Sequence, residues 1–257
     1  MRIVDLSAPI TSTDPEAPRF ARTVIEYGGH ADGAREIEDL FGVPPRLLRN
    51  GEGWARETFA DFGTHNSTHV DAPYHYNAVV AGERAQTIDE LPLERFFAPG
   101  VVVDFTDKAD GDAITAAEME TALAAAAHDL RDGDIVLVRT GRDAFYGEPG
   151  YMFRGPGVTA ETTRWLYDRG VRVMGIDAWG WDRPLDVQAR DALERDEAGV
   201  FWAAHQCDLA YSQIERLFNL AALPPTGFIV ACFPLRIVGA SAAPARVVAI
   251  LGSPTGP

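Results

Sequence analysis

The chain has 257 residues, of which 46% are hydrophobic and 24% are charged, so it is long enough to bury a full core and is not extensively disordered. Its net charge of −15 argues against binding to nucleic acid or an anionic membrane surface, because no run of Lys and Arg supplies a local basic patch. Its start lacks the apolar region of a signal peptide, and no apolar run approaches the ~18 residues of a membrane span. We therefore expect a cytoplasmic protein with no membrane or nucleic-acid partner.

The predicted elements alternate between strands and helices. In chain order they are a strand at 3–6, a helical patch at 34–41 within a polar stretch that runs to about 53, an extended piece at 58–62, a helical turn within 86–93, a strand at 101–105, a helix at 115–128, a strand at 135–138, a helix at 159–169, and strands at 171–176, 228–233 and 245–251. This order is typical of an α/β domain with a mixed sheet. Antiparallel pairing is expected near the C-terminus, since 234–244 leave no room for a helical crossover. Without a repeat or a linker, we predict one domain over 1–257.

Three of the six histidines lie within one short segment, His65-Asn66-Ser67-Thr68-His69-Val70-Asp71-Ala72-Pro73-Tyr74-His75. His65, His69, Asp71 and His75 all occupy odd-numbered positions, which would lie on one face of an extended chain. On a helix, Asp71 would point nearly opposite His69. Pro73 also disfavours a helix, so the segment is predicted to be extended.

The same segment must also bend. A straight strand would separate its first and last histidines by about 33 Å, far more than two ligands of one ion can be apart. The residues at 66–68 are suited to a turn. Imidazole and carboxylate groups are ligands of Zn²⁺ and similar ions, so the cluster indicates a metal site. The alternative is that the four side chains are inert and simply hydrogen-bonded. That is the usual situation for a single histidine, but clusters of this kind are usually metal or catalytic sites.

The segment resembles the H-x-G-T-H-x-D-x-P-x-H signature of the cyclase-type metal hydrolases, a superfamily that contains bacterial kynurenine formamidase, isatin hydrolase and polyketide ring cyclases. Ser67 stands where that signature has Gly, which predicts strain if the turn requires a positive φ. The resemblance extends to 5–7, 170–177 and 233–237. It implies a swivelling β/β/α-type cyclase fold with a mixed sheet, and a homodimer or homotetramer.

The resemblance also implies roles for individual residues. The implied metal ligands are His65, His69, Asp71, His205 and Glu215. His75 matches the catalytic histidine of the family, and Glu215 is counted with it as a catalytic residue. The implied cofactor is one or two ions of Zn²⁺ or Mn²⁺. His205 and Glu215 are closer in sequence than in the formamidases, which leaves open whether both reach the metal. From the residues alone, His205 could equally be a core or surface histidine. The alternative for Glu215 is a charge on a helix surface, paired with Arg216 or solvent.

A second group of candidates follows the predicted central strand. Asp177 and Asp182 lie after its carboxyl end, where substrate contacts are common. Trp179 and Trp181 lie between these two aspartates. An aromatic pair of this kind is more often part of the core or of a subunit interface than of a pocket.

The predicted function is that of a metal-dependent hydrolase that cleaves a small-molecule amide or cyclic amide, or a lactone, with a metal-activated water. One alternative is a metal-dependent cyclase that acts on a polyketide-like substrate. Another is a metal-binding protein without turnover.

Overall fold

The computed structural model describes residues 1–252. Contacts divide the chain into two compact units: one comprises Met1–Pro9 and the chain from Ser67 onward, and the other comprises Ile10–Asn66. The single domain over 1–257 stays a prediction. The strands are β1 (Arg2–Asp5), β2 (Thr23–Gly28), β3 (Arg56–Phe62), β4 (His69–Asp71), β5 (Val79–Val80), β6 (Glu83–Arg84), β7 (Phe97–Asp104), β8 (Ala113–Ile114), β9 (Ile135–Arg139), β10 (Gly157–Val158), β11 (Val173–Ile176), β12 (Ser212–Glu215), β13 (Phe228–Ala231), β14 (Ala242–Pro244) and β15 (Val248–Leu251). The α-helices are α1 (His30–Phe41), α2 (Pro73–Tyr76), α3 (Ala116–Ala125), α4 (Ala160–Tyr167) and α5 (Leu185–Arg195).

The larger unit is built on a nine-stranded mixed sheet with the order β1-β15-β13-β7-β9-β11-β12-β4-β14. The four central strands β7, β9, β11 and β12 run parallel to one another, and all the other pairs in the sheet are antiparallel. Of these strands, β9 and β11 read as almost continuous apolar runs because both of their faces are covered. The antiparallel pairing of β13 with β15 is the arrangement expected near the C-terminus.

Alternate residues of β9 face two separate cores. Ile135 and Leu137 lie in one apolar cluster, and Val136 and Val138 lie in the other. The second cluster includes Met119 of α3, so that helix covers this face of the sheet. A strand has a side-chain period of two, and the sheet therefore carries one core on each face.

The first of these clusters lies inside a curl of the sheet. It contains Val4 of β1 together with Val70 of β4 and Ile214 of β12, which belong to opposite ends of the strand order. His69 precedes Val70 and Glu215 follows Ile214, so the side chains of His69 and Glu215 project from the opposite face of the sheet. Polar side chains are thereby presented together on the outer face of β4 and β12.

The smaller unit contains β2, β3 and α1. β2 and β3 pair antiparallel, with an irregularity between Val24 and Ile25. β2 was missing from the predicted elements, although its sequence TVIEYG is rich in the β-branched and aromatic residues that form strands. The chain passes close to itself at Gly33, where a Cβ atom would lie 1.9 Å from the carbonyl oxygen of Trp54.

The helices differ from the predicted elements in several places. The predicted patch at 34–41 belongs to α1, which begins earlier, at His30. α2 begins at Pro73, so the last part of the histidine segment is helical and the prediction of a fully extended segment is wrong there. Proline is tolerated at the first helical position because its missing N–H would have no partner in the helix. α3 begins after Thr115, and Thr115 and Glu118 form the reciprocal cap that their spacing predicts, but the helix ends at Ala125. α5 was not predicted.

Candidate metal centre and active site

The centre of the candidate site is formed by two adjacent strands. His69 of β4 lies directly opposite Glu215 of β12 in the antiparallel register, and Asp71 follows on the same face. The Nε2 atom of His69 lies 3.4 Å from Oδ1 of Asp71 and 3.6 Å from Oε2 of Glu215. One ligand atom from each residue lies within 4.8 Å of the other two, and all three residues are buried.

These distances fit a common divalent ion. Ligand bonds of ~2.1 Å in a tetrahedral arrangement would place donor atoms about 3.4 Å apart. One imidazole and two carboxylates are a donor set that suits Zn²⁺ or Mn²⁺. A cation would also offset the cost of burying the two acidic side chains so close together. The metal-ligand roles of His69, Asp71 and Glu215 stay predictions, and the geometry is compatible with them.

The turn before β4 sets the orientation of the His69 ring. Ser67 adopts a left-handed backbone conformation with φ of +58°, the region that favours glycine. Its Oγ donates a hydrogen bond to the carbonyl oxygen of Ala8 at 3.2 Å. Its own carbonyl oxygen lies 3.0 Å from Nδ1 of His69. The Nδ1 side of the ring is thus held by the backbone, and Nε2 faces the two carboxylates.

Glu215 is held by its surroundings as well. The backbone N–H of Trp181 donates to Oε1 at 3.0 Å, and Nε2 of His205 lies 3.5 Å from the same oxygen. Burial acts to raise the pKa of Glu215, but the interactions with His205 and His69 together hold the pKa below its usual value. Glu215 is therefore an anion that touches both predicted histidine ligands of the larger unit.

The second of those ligands, His205, lies in the segment between α5 and β12 and is buried. Its ring Nδ1 lies 2.5 Å from Oδ2 of Asp182. Burial acts to lower the pKa of His205, but hydrogen bonds to Asp182 and Glu215 raise it to about 10. Binding of a cation by His205 would therefore release a proton.

His75 lies on α2 and is half-buried. Its ring centroid is 4.9 Å from that of Trp202 and 5.7 Å from that of His205. Trp202 in turn stacks on His205 with centroids 4.5 Å apart. The predicted catalytic histidine does not belong to the group of His69, Asp71 and Glu215, but one of its ring nitrogens lies within 4.8 Å of a carboxylate oxygen of Asp71.

His65 is half-buried and belongs to the smaller unit, which ends one residue later at Asn66. Its place among the metal ligands stays a prediction from the sequence.

The two aspartates after the central strand have different surroundings. Asp177 is buried and accepts hydrogen bonds from the backbone N–H and the hydroxyl of Thr140 and from the N–H of Gly141. Burial raises its pKa to about 6, against the lowering effect of these hydrogen bonds. Asp182 holds His205 and is a positioning residue.

The two tryptophans between those aspartates also differ. Trp181 is fully buried, with its indole N–H donated to Thr163 at 2.9 Å, as a core residue would be. Trp179 is half-exposed and lies under the guanidinium of Arg216. Two nearby residues escaped the sequence analysis: Trp202, for which no local signal exists, and Arg216, which the adjacent Glu215 could have indicated.

Comparison with known proteins shows which family the chain belongs to. The family model described as "Putative cyclase" matches residues 4–183, which is more than half of the chain. The chain belongs to this cyclase family. Among its relatives, the isatin hydrolase of Roseibium aggregatum is 26% identical over 208 residues, 74% of this chain and 72% of the relative. The kynurenine formamidase of Salinibacter ruber is 30% identical over 188 residues, 72% of this chain and 75% of the relative.

Solved structures of similar proteins share the fold. Isatin hydrolase A from Ralstonia solanacearum has a TM-score of 0.72 at 22% identity and matches over 98% of this chain and 92% of its own. A protein described as a potential metal-dependent hydrolase with cyclase activity has a TM-score of 0.65 at 24% identity, over 98% and 99% of the two chains. The α/β class with a mixed sheet, expected of the cyclase family, is confirmed.

This cyclase-family chain is an enzyme of the hydrolase class. In residues 1–252, no helix is long and apolar enough to cross a membrane.

Proposed function

We propose that the chain hydrolyses a small amide or cyclic amide, or a lactone, with the help of a divalent metal ion. The observation that carries this proposal is the buried group of His69, Asp71 and Glu215, whose ligand atoms lie within 4.8 Å of one another. The names of two relatives, isatin hydrolase and kynurenine formamidase, refer to a cyclic amide and a formamide, and both support amide cleavage.

The proposed ligand set combines this group with two further histidines. His69, Asp71 and Glu215 would hold an ion, with His205 and His65 completing one or two positions for Zn²⁺ or Mn²⁺. When bound, the ion supplies a Lewis acid that polarises a carbonyl group and lowers the pKa of a water molecule.

The proposed catalytic residues are His75 and Glu215. The imidazole of His75 would accept a proton from the attacking water and return it to the leaving nitrogen or oxygen as the bond to the carbonyl carbon breaks. The ring of His75 contacts Trp202 and His205, so it lies beside the residues that would bind the ion. Glu215 is ionised. Its Oε1 is held by the N–H of Trp181, and its Oε2, which faces His69, would orient the reacting groups.

The experiment that tests this function uses protein loaded with Zn²⁺ or Mn²⁺ and a panel of N-formylkynurenine, isatin and simple lactones. We expect metal-dependent ring opening or release of formate from at least one compound, and none from a His69→Ala control. Turnover of no compound by metal-loaded protein would count against the hydrolase. Ring closure of a poly-β-carbonyl substrate without hydrolysis would favour the cyclase alternative. Metal binding without any turnover would favour a metal-binding protein that is not an enzyme.

A homodimer or homotetramer in the cytoplasm is proposed as the working form. Large apolar side chains are exposed at Phe97, Phe233, Leu235 and Val238, and the rings of the two phenylalanines stack with centroids 6.2 Å apart. Exposed apolar clusters of this kind often mark subunit interfaces. Light scattering coupled to gel filtration measures the mass directly, and a monomer would contradict the proposal.

A further inference from the structure

A buried arginine lies next to the candidate metal centre. Arg216 directly follows Glu215 and is only 7% exposed. Its backbone has a φ of +58°, its N–H donates to the carbonyl oxygen of Ala178, and its carbonyl oxygen accepts the hydroxyl of Thr68 at 2.6 Å. The main chain at Arg216 is thus fixed on both sides, in a conformation that residues other than glycine rarely adopt.

The guanidinium group of Arg216 has few partners. Its Cζ atom lies 3.7 Å from the ring centroid of Trp179, and Nε donates a long hydrogen bond of 3.4 Å to the carbonyl oxygen of the same residue. Within residues 1–252, Nη1 and Nη2 make no hydrogen bond and no ion pair. Arg142, by contrast, is half-buried and forms an ion pair with Asp110. A buried cation without a paired anion is costly, which indicates a missing anionic group.

A second polar group beside Arg216 is also unsatisfied. The hydroxyl of Tyr151 is buried and has no hydrogen-bond partner among the described residues, and the residue is 5% exposed. Its ring lies edge-on to Trp179 with centroids 6.0 Å apart. Burial raises the pKa of Tyr151 well above its usual value, although the nearby charge of Arg216 acts to lower it. The phenol therefore stays a neutral hydrogen-bond donor.

The two unsatisfied groups match a carboxylate. A guanidinium presents its N–H groups as a planar fork that binds both oxygens of a carboxylate, and a phenol hydroxyl adds a third donor. On a chain with a net charge of −15, such a local cation is needed to attract an anionic substrate. The position fits as well, because Arg216 directly follows Glu215 in the chain.

We infer that Arg216 and Tyr151 form an anion subsite that binds a carboxylate of the substrate beside the metal centre. The inference rests on the proposed function and narrows its substrate class to amides or cyclic amides that carry a carboxylate separate from the bond that is cleaved. Arg216 is then a specificity-determining residue, and Trp179 keeps the guanidinium in place.

The first test measures binding without turnover. Benzoate is titrated calorimetrically into metal-loaded and metal-depleted protein, using the wild type, Arg216→Gln and Arg169→Gln. Arg169 is a matched control, since its Cζ lies 3.7 Å from the ring centroid of Trp165 and it donates to the carbonyl oxygen of that residue, but it is exposed. We expect Arg216→Gln to weaken benzoate binding about 10-fold or more in both metal states and Arg169→Gln to leave it unchanged.

The second test compares N-formylanthranilate with formanilide, which lacks the carboxylate. In the wild type, kcat/KM should be higher for the acid, and Arg216→Gln should lower the acid-to-neutral ratio about 10-fold. Arg216→Lys keeps the charge without the fork and should lower the ratio less. It also serves as the test variant if Arg216→Gln does not fold by circular dichroism.

The outcomes separate the two proposals. If wild-type protein hydrolyses neither compound but its benzoate binding depends on Arg216, the proposed reaction fails and the anion subsite stands. If both compounds are hydrolysed and Arg216→Gln leaves their ratio and benzoate binding unchanged, the subsite is wrong and the hydrolase stands. Absence of benzoate binding to the folded wild type also overturns the subsite.

Discussion

Asp182 holds His205 through one carboxylate oxygen. Its Oδ2 atom lies 3.0 Å from the backbone nitrogen and 2.5 Å from the ring Nδ1 of His205, while Oδ1 accepts the N–H of Ala204 at 2.8 Å. The other ring nitrogen, Nε2, thereby faces Glu215. A carboxylate that orients a histidine in this way fixes its tautomer and makes it a better metal ligand.

Substitution of Asp182 by Asn should therefore weaken metal binding. The amide has one accepting oxygen, whereas Asp182 accepts three hydrogen bonds on two oxygens, so the ring of His205 would lose its fixed orientation. We expect the affinity for Zn²⁺ to fall about 10- to 100-fold in a competition titration with a chelator. Asp134→Asn is the matched control, since Asp134 lies 2.7 Å from His128 and directly precedes β9, which carries none of the predicted metal ligands. Equal affinities in the two variants would contradict a positioning role for Asp182.

Replacement of His75 by Ala should separate metal binding from turnover. If His75 carries protons and is not a ligand, the variant keeps the metal content of the wild type by elemental analysis and loses about 100-fold or more in kcat. His30→Ala is a control, because His30 is exposed and its ring Nδ1 lies 2.9 Å from the backbone oxygen of Gly53. A His75→Ala protein that loses its metal would make His75 a ligand, and one with full activity would remove it from the reaction.

The sequence predicted those parts of the site that depend on local spacing. His69 and Asp71 are two residues apart, and a strand places such residues on one face, as the structure has them. Likewise, the reciprocal cap of Thr115 and Glu118 requires only a separation of three residues. In both cases the relevant distance is set by the secondary structure alone.

Contacts that depend on the tertiary fold could not be predicted in this way. Asp182 and His205 are 23 residues apart, and the curl of the sheet and the segment after α5 bring them together. The extended conformation predicted for His75 fails because Pro73 can start a helix as well as interrupt one. The adjacent Glu215 could have drawn attention to Arg216, but neither the burial of Arg216 nor its stacking on Trp179 can be read from a single residue.

Substitution of Ser67 by Gly should be almost neutral. Glycine would remove the strain of a positive φ, about 1 kcal/mol, but it would lose the hydrogen bond to Ala8 and add freedom to the unfolded chain, each also worth about 1 kcal/mol. We expect the free energy of unfolding in urea to change by no more than about 1 kcal/mol, with metal content retained. Ser67→Val is the contrasting variant, and it should lose about 2 kcal/mol or more because a β-branched residue tolerates this φ poorly. Loss of metal from Ser67→Gly would show that the hydroxyl is needed to hold the turn.

The pH dependence of stability should carry a contribution from Asp177. Burial raises its pKa from the usual 3.8 to about 6 in the folded protein, so the folded state binds this proton more tightly than the unfolded state. The stabilisation is complete below the unfolded pKa and is lost as the pH rises through about 6. The shift of roughly two units corresponds to about 3 kcal/mol as an upper value, since each pKa unit is worth about 1.4 kcal/mol.

Asp177→Asn isolates this contribution because the amide does not titrate. Its oxygen can still accept from Thr140, while its NH₂ group would face the N–H of Gly141, so the variant is less stable than the wild type at pH 4. Between pH 4 and pH 7, the free energy of unfolding of the wild type should fall relative to that of the variant, measured by urea titration at each pH. All other groups titrate in both proteins, and their effects cancel in the difference. A difference that stays constant over this range, or that grows in favour of the wild type, would mean that the hydrogen bonds from Thr140 and Gly141 keep Asp177 ionised in the folded protein.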